Sequence, residues 1–336
     1  MGYKLKKSEK HDYAGPFRKL YRKLHSTAYG LAKKREKLYP LYSSYRHRNK
    51  KPGSGEQLQY MTELPGYMAG FGHGLGAWRA GLMNAKIFGL EYAYSPMVNR
   101  EWEEILGLGA GFPAAAVLLK QGYKKVLLPY YSVDSEKSRE LIKQIIASYK
   151  GKKVIFYNEY EQWTGVGDDI KGDREIKEIF WGSPKRKSDE LIYSKDEFNI
   201  ALHVRRGDVS SRLKQGDESM RRRWLEPEYY LNSMDMLDEL HADKNIHYYL
   251  FSEGREEDFS EFRAKDRKLT FCLDMPAEKS FLQLCYADVL VTAPSSFSII
   301  AGAWCRGTKY YPDRDWLTIP DTPDWIKLDE QGRLCG

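Results

Sequence analysis

The densest cluster of chemistry-bearing side chains lies in residues 198–208, FNIALHVRRGD. His203, Arg205, Arg206 and Asp208 crowd around Gly207. Guanidinium is a rigid fork that matches phosphate and stays charged at any working pH, so two adjacent arginines suggest an anionic partner. A solvated basic turn would use the same residues, and RRGD alone leaves both readings open. The residues before it favour a ligand site. Phe198, Ile200 and Leu202 alternate with Asn199, Ala201 and His203, which predicts a strand over 198–204. Strand tips that run into glycine-bearing loops are where open α/β sheets place ligands. The RGD tripeptide within this stretch is common by chance, abuts a buried strand, and is not read as an adhesion signal.

A second cluster is ADVLVTAPSSFSIIAGAW, residues 287–304. A short apolar strand ends near Thr292. Ser295 or Ser296 is placed to cap a helix that follows, leaving the first-turn amides free. Such a helix start can hold phosphate through N–H groups, dipole and hydroxyls together, or it can be plain capping. Ala301, Gly302 and Ala303 would let this helix approach its sheet. The third stretch is a glycine run, GYMAGFGHGLG, predicted as a loop between a strand at 58–64 and a helix from Ala77 to Gly89. Gly72, His73 and Gly74 could bring backbone and an imidazole to a ligand. His73 could equally be a turn histidine, and the run does not match the dinucleotide fingerprint cleanly.

The elements that must carry these clusters alternate. Strands are expected at 90–95, 125–129 and 153–157, with a helix at 135–149. The second half reads strand 198–204, polar loop 207–225, helix 226–242, strand 247–252, short helix 255–263, strand 268–273, helix 278–286, strand 287–292, helix 295–305 and strand 308–311. Alternating β and α at this spacing implies parallel sheets with helices on both faces. The organisation expected is a basic segment and linker at 1–56, two Rossmann-like domains at 57–190 and 191–320, and a tail at 321–336.

The formal charge of +7 is unevenly spread. Residues 1–51 hold sixteen Lys and Arg against three Asp and Glu, so the remainder is net acidic. Nucleic-acid binding is therefore not expected from the overall charge. Within the basic segment Phe17, Leu20, Tyr21, Leu24, Ala28 and Leu31 recur at helical spacing. This fits either a basic amphipathic helix on an anionic membrane or a helix packed on the body. Four cysteines, Cys272, Cys285, Cys305 and Cys335, form no CxxC or Cys/His cluster and are expected to be reduced. With no eighteen-residue apolar run and no hydrophobic signal core, the expected location is cytoplasmic, with membrane association through 1–51 left open.

HVRRGD at 203–208 resembles the HxRRGD motif of the fucosyltransferase superfamily, which includes α1,2-, α1,6- and protein O-fucosyltransferases. SSFSIIAGAW at 295–304 resembles the SSFS-like motif of that group, and the run from Phe271 to Ala293 resembles the segment before it. GFGHGLGAWRAG occupies the place of the group's glycine loop. The likeness covers mainly 66–90 and 198–312.

The resemblance implies an α/β, GT-B-type fold: two Rossmann-like domains with a cleft between them, 57–190 on the acceptor side and 191–320 binding the nucleotide sugar. It implies an inverting glycosyltransferase with no metal and no cofactor beyond a nucleotide-sugar donor, GDP-fucose, and with a glycan as acceptor. Arg205 would hold the donor β-phosphate, with Ser295 and Ser296 sharing that load and Phe297 beside them. His203 would line the nucleotide pocket, Arg206 would join the cluster or face the acceptor, and Asp274 would accept hydrogen bonds from guanine. Asp274 could instead cap the helix that follows it. Asp208 is the nearest candidate for proton acceptor, with Glu226 and Glu228 next; it could equally orient an arginine. The DxD at Asp313–Asp315 is expected to be a surface turn. Two other readings stand: a related transferase using another donor such as UDP-xylose, and a non-catalytic glycan- or nucleotide-binding protein on the same scaffold.

Overall fold

The computed structural model describes residues 38–51, 53–55, 57–63, 71–97, 99–158, 175–314, 319 and 322–335. The amphipathic pattern expected at 17–31 lies outside the described residues, as do Gly66, Gly70 and Asp315. The chain divides into two compact units, Met1–Gln57 with Ser135–Lys152, and Leu58–Asp134 with Lys153–Gly336.

In the first unit, helix Leu38–His47 packs against helix Glu136–Ser148. The second helix follows its sequence: Ser135 accepts the N–H of Ser138 at the cap, and Leu141, Ile142 and Ile145 form the buried stripe. Asn49 donates its backbone N–H to Ser148 Oγ (2.9 Å), and Tyr149 Oη donates to the carbonyl of His47 (3.0 Å).

The second unit holds two sheets in which every strand pair is parallel. The first contains β1 (Tyr60–Glu63), β2 (Glu91–Tyr92), β3 (Lys124–Leu127) and β4 (Val154–Asn158), in the order β2-β1-β4-β3. The second contains β5 (Phe198–His203), β6 (Ile246–Ser252), β7 (Leu269–Leu273), β8 (Val289–Val291), β9 (Thr308–Pro312) and β10 (Trp325–Leu328), in the order β10-β9-β8-β5-β6-β7. This is the α/β class with paired parallel sheets expected above. In the second sheet the chain builds β6 and β7 on one side of β5, then crosses to lay β8 on the other. The strand order reverses between β5 and β8, and a crevice opens at such a reversal, beyond the carboxyl ends of the strands. The two motif-bearing loops leave those two strands.

The core of the second sheet runs through Ile200, Leu202, Tyr230, Leu237, Leu250 and Val291, all fully buried. In the connection from β4 to β5, the Arg186 side chain is buried on the ring of Phe180 (4.0 Å) and pairs with Asp189 (3.1 Å), which also accepts the Tyr286 hydroxyl (2.6 Å).

Two expectations are corrected. The glycine run is not a loop at 71–76, because helix Phe71–Ile87 already includes these residues. Glycine costs about 1 kcal/mol in a helix interior, so tertiary contact must compensate. A Cβ on Gly81 would lie 2.1 Å from Glu63 Oε2, so glycine there lets helix and carboxylate approach. The polar stretch 207–225 is likewise not a plain loop. It folds into helix Asp208–Lys214 and a 3-10 turn, Glu218–Arg223. The close approach expected of Ala301–Ala303 is present: a Cβ on Gly302 would lie 2.6 Å from the Trp325 ring.

Candidate functional site

β5 delivers His203 to its carboxyl end with the side chain buried. The Tyr230 hydroxyl donates to the His203 carbonyl (3.1 Å), and the Ser252 hydroxyl donates to the Val204 carbonyl (2.7 Å). These bonds fix the strand tip to the helix at its back and to β6. The imidazole Nδ1 has no hydrogen-bond partner among the described residues. Burial, followed by the charge of Arg205, pushes His203 down to about 3, so the ring is neutral at physiological pH.

The two arginines diverge. Arg206 is buried and stacks its guanidinium on Trp224 at 3.8 Å, while Nη1 donates to the carbonyls of Arg205 (3.0 Å) and Leu225 (3.2 Å). Arg205 is half-buried and forms an ion pair with the exposed Asp208. Gly207 makes the turn between them with φ +49°, a region L side chains rarely adopt. Arg206 is thus committed to structure. Among the described residues, the Arg205 guanidinium is held by the Asp208 side chain one turn ahead of it.

Across the crevice, Ser295 caps helix Ser296–Trp304 by accepting the N–H of Phe297 (3.3 Å). Ser298 Oγ accepts the N–H of Ala293 (3.2 Å) and donates to the same residue's carbonyl (3.1 Å), clamping the loop before the helix. Phe297 sits 5.3 Å from the His203 ring and 5.8 Å from Phe71, ring centre to ring centre. Phe71 comes from the first turn of helix Phe71–Ile87, so this helix of the first sheet supplies a wall of the crevice.

The result is one cleft of about 350 Å³, with His203, Arg205, Arg206, Ser295, Ser296 and Phe297 in its lining. A cation, a helix start with hydroxyls and a buried neutral ring converge there. An anion with a flat apolar part attached matches that combination. Phe71, Ser252, Glu253, Met275, Ala277 and Ser280 complete much of the wall. The sequence reading named none of these as ligand residues, since no local pattern distinguishes them from ordinary strand ends and helix starts.

Other candidates lie elsewhere. Asp208 is outside the cleft lining and contacts it through Arg205. Asp274 is also outside the lining. Its backbone is left-handed, with φ +52°, and its Oδ1 accepts the Gly254 N–H (3.2 Å). It does not cap the next helix, whose N-cap is Pro276. Gly72, His73 and Gly74 are helical, and the side chain of His73 lies outside the described residues. Glu226 is the N-cap position of helix Pro227–Leu240, with a carboxylate oxygen 3.8 Å from Arg221. Asp313 pairs with Lys327 at 3.2 Å. Among the described residues no group of three or more His, Cys, Asp or Glu side chains is arranged to hold a metal ion. Cys272, Cys285 and Cys305 are buried free thiols, and Cys335 is an exposed one. No described helix is long and apolar enough to cross a membrane.

Neither a protein-family model nor a curated protein sequence matches the chain. Among solved structures, the chain is similar to POFUT1 in complex with GDP-fucose, at 10% identity over 77% of this chain and 98% of that one, with a TM-score of 0.49. It is similar to a mutant of Arabidopsis thaliana FUT1 in complex with GDP, at 12% identity over 84% and 75%, with a TM-score of 0.46. It is also similar to the E. coli heptosyltransferase WaaC with ADP, at 12% identity over 81% and 93%, with a TM-score of 0.42.

Proposed function

We propose that the chain is an inverting, metal-independent glycosyltransferase of the GT-B type that moves fucose from GDP-fucose to a glycan acceptor. The observation that carries this reading is the convergence of Arg205, Ser295, Ser296 and His203 on one cleft at the point where the strand order of the second sheet reverses. Those four positions belong to the two stretches that resemble the fucosyltransferase motifs.

The proposed roles follow from charge. Departure of a nucleoside diphosphate leaves growing negative charge on the β-phosphate. Arg205, the only one of the paired arginines not committed to backbone carbonyls, neutralises it. A cation at that place is worth more in the transition state than in the ground state. The first-turn amides of helix Ser296–Trp304 and the hydroxyl of Ser296 add donors. Neutral His203 and Phe297 give the base an apolar face, with the unpartnered Nδ1 able to meet one of its polar groups. Asp208 holds Arg205 in place until the donor arrives. Asp274 is proposed to meet guanine through the carboxylate oxygen that the Gly254 N–H leaves free.

The test is calorimetric titration of the purified chain with GDP, UDP, ADP and dTDP, with chelator present. GDP preference, lost in Arg205→Ala, supports the reading and leads to GDP-fucose turnover. UDP preference keeps a glycosyltransferase and removes fucose in favour of a donor such as UDP-xylose. Binding without turnover favours a non-catalytic nucleotide-binding protein, and loss of turnover in chelator overturns metal independence.

A further inference from the structure

We infer that a second pocket beside the nucleotide cleft receives the acceptor saccharide, and that Glu253, which stands between the two, takes the acceptor proton. This rests on the glycosyl-transfer reading above. The second pocket measures about 610 Å³, and Arg206 and Glu253 line both it and the nucleotide cleft. Its remaining wall includes Leu213 and Lys214 from the helix that starts at Asp208, the aromatic rings of Trp224 and Phe259, and the carboxylates of Glu226 and Asp258. A sugar presents apolar C–H faces together with hydroxyls that both donate and accept. Aromatic carbon, a cation and carboxylates in one concave surface suit that chemistry. The neighbouring cleft, with its helix start and Arg205, suits an anion.

Glu253 follows the last residue of β6, and the bond from Ser252 to the Val204 carbonyl ties that tip to β5. Its carboxylate stands over Gly207: a Cβ there would lie 1.7 Å from Glu253 Oε2. The glycine of RRGD therefore makes room for a carboxylate as well as making a turn. No ion pair or hydrogen bond holds the Glu253 carboxylate among the described residues, whereas the Asp208 carboxylate is engaged by Arg205. A carboxylate already accepting from a guanidinium has fewer lone pairs open to a substrate hydroxyl than an unengaged one.

In the step proposed, the acceptor hydroxyl oxygen attacks the anomeric carbon as the bond from that carbon to the β-phosphate oxygen breaks. The bonding pair leaves on the diphosphate, and the hydroxyl proton passes to Glu253, which releases it to solvent. The anomeric centre inverts once.

The experiment uses the full chain and separates the two layers. GDP titration comes first, and absence of binding sinks the nucleotide reading together with this inference. GDP-fucose hydrolysis, in which water takes the acceptor's place, is then compared between wild type and Glu253→Gln. The expected result is GDP binding that is retained and a hydrolysis rate lower by roughly 10²–10⁴-fold, with the exposed neighbour Glu257→Gln behaving as wild type. Wild-type hydrolysis in Glu253→Gln overturns the base assignment while the nucleotide reading stands. The pocket is probed separately by saturation-transfer NMR with methyl glycosides of glucose, galactose, mannose and N-acetylglucosamine on the GDP-bound chain. Signal lost in Leu213→Trp, which fills the pocket, supports the acceptor site. Signal that persists, or no signal on wild type, overturns it.

Discussion

Asp208 holds Arg205 in an ion pair formed across one turn, from the first residue of the helix that begins at the RRGD tip. The pair lies at the edge of the cleft, with Asp208 exposed and Arg205 half-buried. An exposed pair of this kind contributes little to stability, ~1 kcal/mol or less. Its use is to keep a long cationic side chain aimed along one direction. Asp208→Asn should therefore leave the unfolding midpoint nearly unchanged and weaken GDP binding only several-fold. Arg205→Ala, which removes a charge-assisted contact of ~1.5–3 kcal/mol, should weaken it by roughly ten- to a hundred-fold. Calorimetry on both variants checks this. Unchanged GDP binding with abolished turnover in Asp208→Asn would instead make Asp208 the proton acceptor.

The serines after β8 differ in kind. Ser295 is a helix cap, and Ser295→Ala should cost ~1 kcal/mol. Ser298 is fully buried and satisfies both the N–H and the carbonyl of Ala293. Ser298→Ala leaves the buried Ala293 N–H unpaired, although the Ala293 carbonyl still accepts the Ser295 N–H (2.7 Å), and should cost more, up to ~3 kcal/mol. Denaturant melts of the two variants should rank them in that order, and the reverse order would show that the loop before the helix is not clamped by Ser298.

His203 makes a pH prediction whose sign is fixed by its burial. The folded state holds the imidazole at about 3 instead of the usual 6.5. Between those values the unfolded chain binds a proton that the folded chain does not. Stability therefore rises with pH through that window and is lost progressively as pH falls below about 6.5. His203→Phe should flatten the part of the acid decline that lies between pH 6.5 and 4. GDP binding by the wild type should show no step near 6.5 from this residue, because the ring stays neutral on both sides of it. Thermal melts and titrations across that range read both effects.

Much of the second sheet could be read directly from its residues. Alternation from Phe198 to His203 marks β5, and the apolar run ending at Thr292 followed by serines marks β8 and its helix start. The order of these stretches was enough to bring RRGD and SSFS into one crevice. The glycine run misled because local composition favours a loop, while a tertiary contact sets its conformation: at Gly74 a Cβ would meet the Trp102 ring at 3.5 Å. β10 was missed because WIKL is short and is organised by pairing with β9, in register from Trp325↔Lys309 to Leu328↔Pro312. Glu253 carried no local signal at all. It matters through Gly207, forty-six positions earlier, and only folding brings the two together.

Glu63 gives the test of how the first sheet is built. It ends β1, where the Tyr92 hydroxyl donates to its carboxylate (2.9 and 3.1 Å to the two oxygens) and Gly81 backs it. Its register partner on β4 is Asn158, also buried. Desolvation pushes Glu63 up to about 8 against an ordinary 4.5, the nearby Glu103 adds to the rise, and the Tyr92 hydrogen bond offsets only part of it. Folded Glu63 thus keeps its proton where the unfolded chain has lost it. Stability tied to this group is fully present below pH 4.5 and is lost as pH rises through about 8, with an upper bound on the order of a few kcal/mol. Glu63→Gln keeps the volume and removes the ionisation. Its unfolding midpoint should exceed that of the wild type at pH 8.5–9, whereas at pH 5 the two should converge. Equal slopes for both proteins across that range would mean that Glu63 ionises freely in the fold, and that the carboxylate reaches water despite Tyr92 and Gly81.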